Sequence, residues 1–209
     1  MSKAERTKAF IIEKCAPIFN KKGYEGTSLA DILEATGLTK GALYGNFADK
    51  NDIAIEAYKY NVEGMRRRLA DFVDRKQSAY DKLIAFAEYY REGWEGTSRR
   101  GGCPIQNASI EADDNIEFLR PHVQNSIKNW VSFLSKIIEE GKKSKEFKST
   151  INATEAAYSL ITVLEGGIML MKIMNNKSFL FAALDRMTGI IETEIKKQCQ
   201  YNTETLLQA

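Results

Sequence analysis

Residues 27–50 read TSLADILEATGLTKGALYGNFADK, and they decide the fold. Ser28 with Asp31 three positions on is a capping box, in which each side chain binds the other's backbone N–H and so opens a helix. Ile32 and Leu33 point inward from that helix. Gly37 ends it by taking the left-handed conformation that a Cβ disfavours. Thr39 caps a second short helix with the stripe Leu38, Leu43 and Phe47, which leaves Lys40, Gly41, Ala42, Tyr44 and Asn46 facing out. Two short helices across a glycine turn are helix-turn-helix geometry, in which the second helix lies in the DNA major groove. Small residues at Gly41 and Ala42 let the backbone approach the bases, the Ala42 methyl suits a thymine methyl, and Asn46 suits an adenine edge. Thr27, Ser28, Tyr44 and Lys50 suit phosphate contacts that set register. With Thr39, Lys40 and Gly45, these complete the candidate DNA-contacting set.

Outward from this segment the chain reads as helices throughout. Ile11, Ile12, Cys15, Ile18 and Phe19 form a stripe ending at Lys21-Lys22-Gly23, with Pro17 inside it expected to remove a hydrogen bond and bend the helix. Tyr58, Val62, Met65, Leu69 and Phe72 give a long stripe, followed by Leu83, Phe86, Ala87, Tyr90 and Trp94. The run GTSRRGGCP over residues 96–104 has no period and reads as a loop that hands over to a helix at Pro104; Asp113-Asp114-Asn115 is the next break. Val123, Ile127, Trp130, Leu134, Ile137 and Ile138 make a further stripe that starts near Pro121 and ends near Gly141, with residues 141–148 as linker. Asn152 with Glu155 opens a helix that is apolar nearly all round. A last helix carries Leu180, Leu184, Met187, Ile191 and Ile195 before a fraying tail. Two such apolar helices side by side predict a homodimer, with Gly166-Gly167 allowing a close approach.

The composition narrows the chemistry. The 209 residues, 44% hydrophobic and 28% charged, are those of an ordinary globular chain. Three cysteines, Cys15, Cys103 and Cys199, stand far apart in no C-x-x-C pair, and His122 is the single histidine. Neither a thiolate nor a two-histidine zinc site is indicated, nor a cofactor, and no nucleophile–base set can be assembled around His122. The longest apolar run, residues 160–174, is broken by Glu165 and Lys172, and the N-terminus does not read as a signal peptide, so a cytoplasmic protein without membrane partners is expected.

The ordered run KKGYEGTSLADILEATGLTKGALYGNF, continuing through ADKNDI, resembles the TetR/AcrR family of transcriptional repressors: a Gly-aromatic turn, T-S-x-x-D-I, S/T-K-G-x-L-Y and F-x-x-K. Gly45 and Asn46 stand where that pattern commonly has aromatic residues or histidine. The resemblance implies an all-α protein, with a helix-turn-helix DNA-binding domain at residues 1–50 and a helical effector-binding and dimerisation domain at 51–209. It also implies binding of the homodimer to a palindromic operator and release by a small molecule that tilts the helix after Lys50.

Tyr90, Trp94, Trp130 and Met169, with Gln106, Asn107, Glu165 and Cys103, are the candidate effector-binding residues for a mostly apolar ligand, against a default of plain core packing. Two further readings stay open. Arg66-Arg67-Arg68 is either a phosphate-contacting patch or a solvated helix face. Cys103 beside Arg99 and Arg100 is either a redox switch or inert packing. A helical enzyme is the remaining alternative.

Overall fold

The computed structural model describes residues 2–198, so Cys199 and the predicted fraying tail lie outside the described residues. Helix α1, Lys3–Lys22, opens with a capping box between Ser2 and Glu5 and closes at Gly23, whose φ of 88° suits glycine. Pro17 lies within α1 and the helix runs through it. Pro17 and Glu13, whose carbonyl loses its donor, are both on the exposed side where water replaces the bond, so the predicted misfit costs little.

After α2 (Leu29–Thr36) and α3 (Lys40–Tyr44), α4 spans Lys50–Val73 and lies along α1 with Ile53, Ala54 and Ala57 buried. Asn61 Nδ2 of α4 donates to the Ala16 carbonyl of α1 at 2.8 Å, which ties the two helices beside the proline. Helix α5, Ala79–Glu92, ends at Gly93, and α6, Trp94–Arg99, follows directly. The predicted loop over 96–104 is thus half helix; the irregular part is the turn through Gly101 and Gly102, at φ 93° and 91°. Helix α7, Pro104–Asp114, starts on its proline and stops at the predicted Asp-Asp-Asn break.

Helix α8 runs from Arg120 to Lys143, beyond the predicted stop at Gly141. Gly141 instead receives the buried Phe147 ring, which a Cβ there would meet at 2.1 Å, so the expected linker packs into the core. Asn152 accepts from the N–H groups of Thr154 and Glu155 and opens α9, Ala153–Met174; α10 follows over Ser178–Ile190 and widens into a π turn at Ile191–Ile195. Among the described residues the fold is all-α, with one isolated bridge between Phe147 and Lys196.

The last three helices correct two expectations. Leu180, Leu184, Met187, Ile191 and Ile195 are all at 0% exposure, so the stripe of the last helix is core of its own chain. The apolar surface left open is a different one: Tyr158, Met169, Leu170, Ile173 and Met174 on α9, with Phe179 on α10. Gly167 serves the α9–α10 crossing, where a Cβ would meet Ala183 at 2.5 Å, whereas Gly166 faces open space. Helix α9 meets the length and composition of a membrane span, with mean hydropathy 1.4, but a single such helix is no sign of membrane insertion. It packs between α8 and α10, with the Glu165 carboxylate turned inward and Lys172 donating to Asn107.

Candidate nucleic-acid interface and effector cavity

The helix-turn-helix is held by local hydrogen bonds. Ser28 and Asp31 form the full capping box, Gly37 sits at φ 66°, and the Thr39 side chain accepts from Ala42 N–H. Asp31 also pairs with Lys22 of α1 at 2.5 Å. That ammonium, with the Ser28 N–H and hydroxyl, holds its carboxyl down at about 2. Leu43 and Phe47 are buried beneath α3, which leaves Thr39, Lys40, Gly41, Ala42, Tyr44 and Gly45 on the outer face.

Three predicted contacts sit differently. The Thr27 side chain is fully buried and its hydroxyl donates to the Gly23 carbonyl at 2.6 Å, so it shapes the α1–α2 turn rather than facing a phosphate. Asn46 Nδ2 donates to the Ala42 carbonyl at 2.9 Å, so one of its two amide N–H donors is turned back onto α3. Lys50 Nζ lies 3.3 Å from the Glu25 carbonyl, which places its charge against the same turn, at the start of α4.

Glu111 near the end of α7 grips that turn from the other side. Its carboxylate accepts from Tyr24 N–H at 2.9 Å and from Glu25 N–H at 2.8 Å, and a Cβ at Gly23 would lie 2.7 Å from its oxygen. Residues 23–25 are thereby held by a side chain almost ninety positions away.

The large cavity measures about 860 Å³ and lies between α4 and α8, with Ile105 of α7 on its wall. Val62, Met65, Leu69, Phe133 and Ile137 give it an apolar side, and Asn125, Asn129, Ser132 and Lys136 a polar one. Lys82 and Glu140 pair at 3.4 Å on its lining. Those four polar residues of α8 recur at helical spacing beside the Trp130 stripe. In the sequence that pattern is indistinguishable from a solvated face, because polar residues on a helix usually face water.

Of the predicted effector residues only Trp130 lines this cavity; Tyr90 and Cys103 line a smaller one, and Trp94, Gln106, Asn107, Glu165 and Met169 line neither. Trp94 sits under the Lys177 ammonium at 5.3 Å, and Met169 is on the open face of α9. Gln106 donates to the Glu165 carbonyl, while Asn107 binds Asn20 and Gly101 and fixes the α6–α7 turn to α1. Tyr90 packs edge-on against Phe86 and Tyr89, with its hydroxyl buried and unpartnered. Burial lifts the Glu165 carboxyl to about 7, and burial with Glu165 alongside pushes the Cys103 thiol well up. Cys103 therefore keeps its proton, the reverse of what a redox-sensing thiolate requires. Among the described residues no cluster of three metal-ligating side chains occurs.

Comparison with known proteins agrees with this architecture. Residues 11–57 match the family described as bacterial regulatory proteins, tetR family, and residues 79–187 match the tetracyclin repressor-like C-terminal domain. A TetR-family transcriptional regulator from Cytophaga hutchinsonii superposes with a TM-score of 0.90 at 36% identity, over 95% of this chain and 98% of that one. A TetR transcriptional regulator from Chloroflexus aurantiacus J-10-FL gives 0.87 at 31% identity, over 95% and 100%. The HTH-type transcriptional regulator LmrA of Bacillus subtilis (strain 168) is 29% identical over 161 residues, 77% of this chain and 83% of its own. Two matched domains in their proper order, on an all-helical frame with an exposed recognition helix, place the chain in the TetR family: it is a DNA-binding transcriptional regulator and not an enzyme.

Proposed function

We propose that the protein is a homodimeric repressor that binds a palindromic operator through α3 of each protomer and leaves it when an amphiphilic, mostly apolar small molecule enters the large cavity. The observation that carries this reading is the double role of α4. Its first residue, Lys50, touches the α1–α2 turn, and its later turns supply Tyr58, Val62, Met65 and Leu69 to the cavity wall. Helix α7 gives a second link, with Ile105 on the cavity and Glu111 on the turn. A ligand that favours one placement of α4 and α7 shifts both recognition helices, and the coupling is reciprocal. Residues 1–50 then act as the DNA-binding part and 51–209 as the effector-binding and dimerisation part, with α4 in both cores. Half-site centres spaced about one helical turn of DNA or modestly more follow from two-fold symmetry.

The dimer face in this reading is the open surface of α9 and the start of α10. Ile173 is 77% exposed, whereas Ile191 is core; Ile173→Glu is therefore the substitution expected to yield folded monomers in sedimentation. For the operator, duplexes selected from a random pool should be palindromic, and Lys40→Ala should weaken all of them alike while Ala42 substitutions change which are preferred. For the effector, a compound that releases the selected duplex should quench Trp130 fluorescence saturably in a Trp94→Phe background. A chain that selects no duplex, or one whose affinity no amphiphile alters while α4 is intact, would end this reading.

A further inference from the structure

Arg68 on α4 and Arg100, just past α6, line a second cavity of about 40 Å³ together with Asn61, Tyr89, Tyr90 and Thr97. No acidic side chain lines it. Of the other arginines in these two runs, Arg66 forks onto Glu63 and Arg99 reaches Glu95, while Arg67 is exposed and does not line the cavity. Among the described residues neither Arg68 nor Arg100 pairs with a carboxylate.

Each guanidinium is laid back over a glycine of its own helix. A Cβ at Gly64 would stand 3.2 Å from Arg68 Nη1, and one at Gly96 would stand 2.9 Å from Arg100 Nη1. Glycine weakens a helix relative to alanine, and here both glycines make the room in which an arginine lies. Tyr90 lines the same cavity, and its hydroxyl is buried with no protein partner. Burial and the charge of Arg68 both pull the Arg100 guanidinium below its usual range, so the two cations sense each other.

We propose that Arg68 and Arg100 clamp a small oxyanion, a phosphate, sulfate or carboxylate group, between α4 and the α6–α7 turn, with the Tyr90 hydroxyl as a further donor. Paired guanidinium forks suit the flat, two-oxygen edge of such groups. The cavity has room for a few waters' worth of ligand and none for a base or a sugar. Operator phosphate is not the source, because Arg68 lies about 27 Å along α4 from Lys50. Two sources remain: a free inorganic anion, or the acidic head of an amphiphile whose tail lies in the large cavity, since Met65 lines both spaces. Asn20 of α1 donates to the Arg100 carbonyl at 2.6 Å, so an anion that fixes Arg100 to α4 also fixes α1, on which the helix-turn-helix is mounted.

The test is calorimetric titration of the full chain with inorganic phosphate and, separately, with decanoate, each at ionic strength held constant with chloride. Wild type should bind at least one probe saturably, and Arg68→Gln and Arg100→Gln should each weaken that binding tenfold or more. Binding of phosphate places the site among free-anion sites, and binding of decanoate alone assigns the acidic head. Melting in chloride should stay the same or rise in both variants, because each removes one of two like charges. Absence of saturable heat with both probes in wild type, or equal affinity in folded variants, overturns the proposal. It stands apart from the effector reading, which is judged by operator release rather than by anion binding.

Discussion

The two stretches that α4 joins are built by opposite means. At its start α4 meets a unit whose α2 and α3 begin and end on sequence neighbours, Ser28 with Asp31, Thr39 with Ala42, and Gly37 by its own φ, with Glu111 reaching in from α7 to hold the turn before them. Further along it meets α5, the next helix, and α7 and α8, which arrive from further along the chain. Among the described residues, the buried Tyr58 and Tyr90 hydroxyls, Trp130 Nε1 and both Glu165 oxygens lack hydrogen-bond partners there, and in the N-terminal unit the Tyr24 hydroxyl alone does. An unpartnered buried polar group costs about 1 to 3 kcal/mol, so the effector half carries a cost that the DNA-reading half largely avoids. A satisfied unit keeps one shape, whereas a strained one has something to gain from a ligand or a shifted helix.

Breaking the DNA-reading half should produce the largest effect. Leu43 is wholly buried beneath α3, and Leu43→Ala removes three side-chain carbons from a core made by three short segments. A loss of about 2 to 5 kcal/mol is expected, enough to melt the helix-turn-helix locally. Operator binding should vanish in anisotropy while an effector still quenches Trp130. Loss of both signals together would mean that the two halves fold as one unit, and the contrast drawn above would fail.

Relieving the strained half should act in the other direction. Glu165 has its carboxyl lifted from 4.5 to about 7 by burial. Below the lower value both folded and unfolded chains hold the proton and the fold bears no penalty. Between the two values the unfolded chain ionises first and stability falls as pH rises. Above the upper value the penalty is complete, on the order of 3 kcal/mol. Glu165→Gln should therefore melt higher than wild type above pH 7, converge with it near pH 4, and flatten the slope between. Parallel melting curves across that range would show that the carboxylate finds partners.

Cutting the link between the halves should cost less. Glu111→Ala removes a carboxylate that accepts from Tyr24 and Glu25 N–H groups, bonds of a kind worth about 1.5 to 3 kcal/mol. The amides of these two residues should exchange faster with deuterium. Effector and operator should each still bind, yet oppose one another by a smaller factor. Undiminished coupling would leave α4 as the sole transmitter.

The same contrast explains what was readable in the chain. Ser28 with Asp31, Gly37 and Thr39 each act within three or four residues, so their roles follow from spacing alone, and the turn lies where the pattern puts it. The local bond from Asn46 to the Ala42 carbonyl, which takes one of its two amide N–H donors, is not visible in spacing. The candidate effector residues stand out in the sequence by type, aromatic and sulfur-bearing with Gln106, Asn107 and Glu165 as polar partners, and type does not say which face of a helix turns toward which neighbour. Trp94 goes under Lys177, Met169 goes outward, and the polar row of α8 that lines the cavity looks in sequence like any solvated face. Ile191 was assigned to a partner for the same reason: an apolar stripe does not tell its own core from another subunit's.

The smallest expected effect tests whether the capping bonds make the DNA-reading half rigid or merely start its helices. Ser28 is exposed; its hydroxyl accepts from Asp31 N–H at 3.2 Å and donates back to Asp31 at 2.8 Å. Ser28→Ala leaves the reciprocal bond from Ser28 N–H to the Asp31 carboxylate, at 2.9 Å, and the Lys22 pair in place. The loss should be about 1 kcal/mol, typical of one N-cap. Because that unit has few unpartnered groups to redistribute, the loss should stay local, with faster amide exchange at residues 29–31 and unchanged exchange in α8 and α9. If Ser28 touches phosphate and not a base edge, as proposed, operator affinity should fall modestly and equally across sequences. Ser28→Asp separates the two roles: it restores a capping acceptor, and with it the exchange rates, but sets a negative charge where a phosphate approaches, so operator affinity should fall further still. Recovery of both would remove Ser28 from the interface and leave it a cap alone.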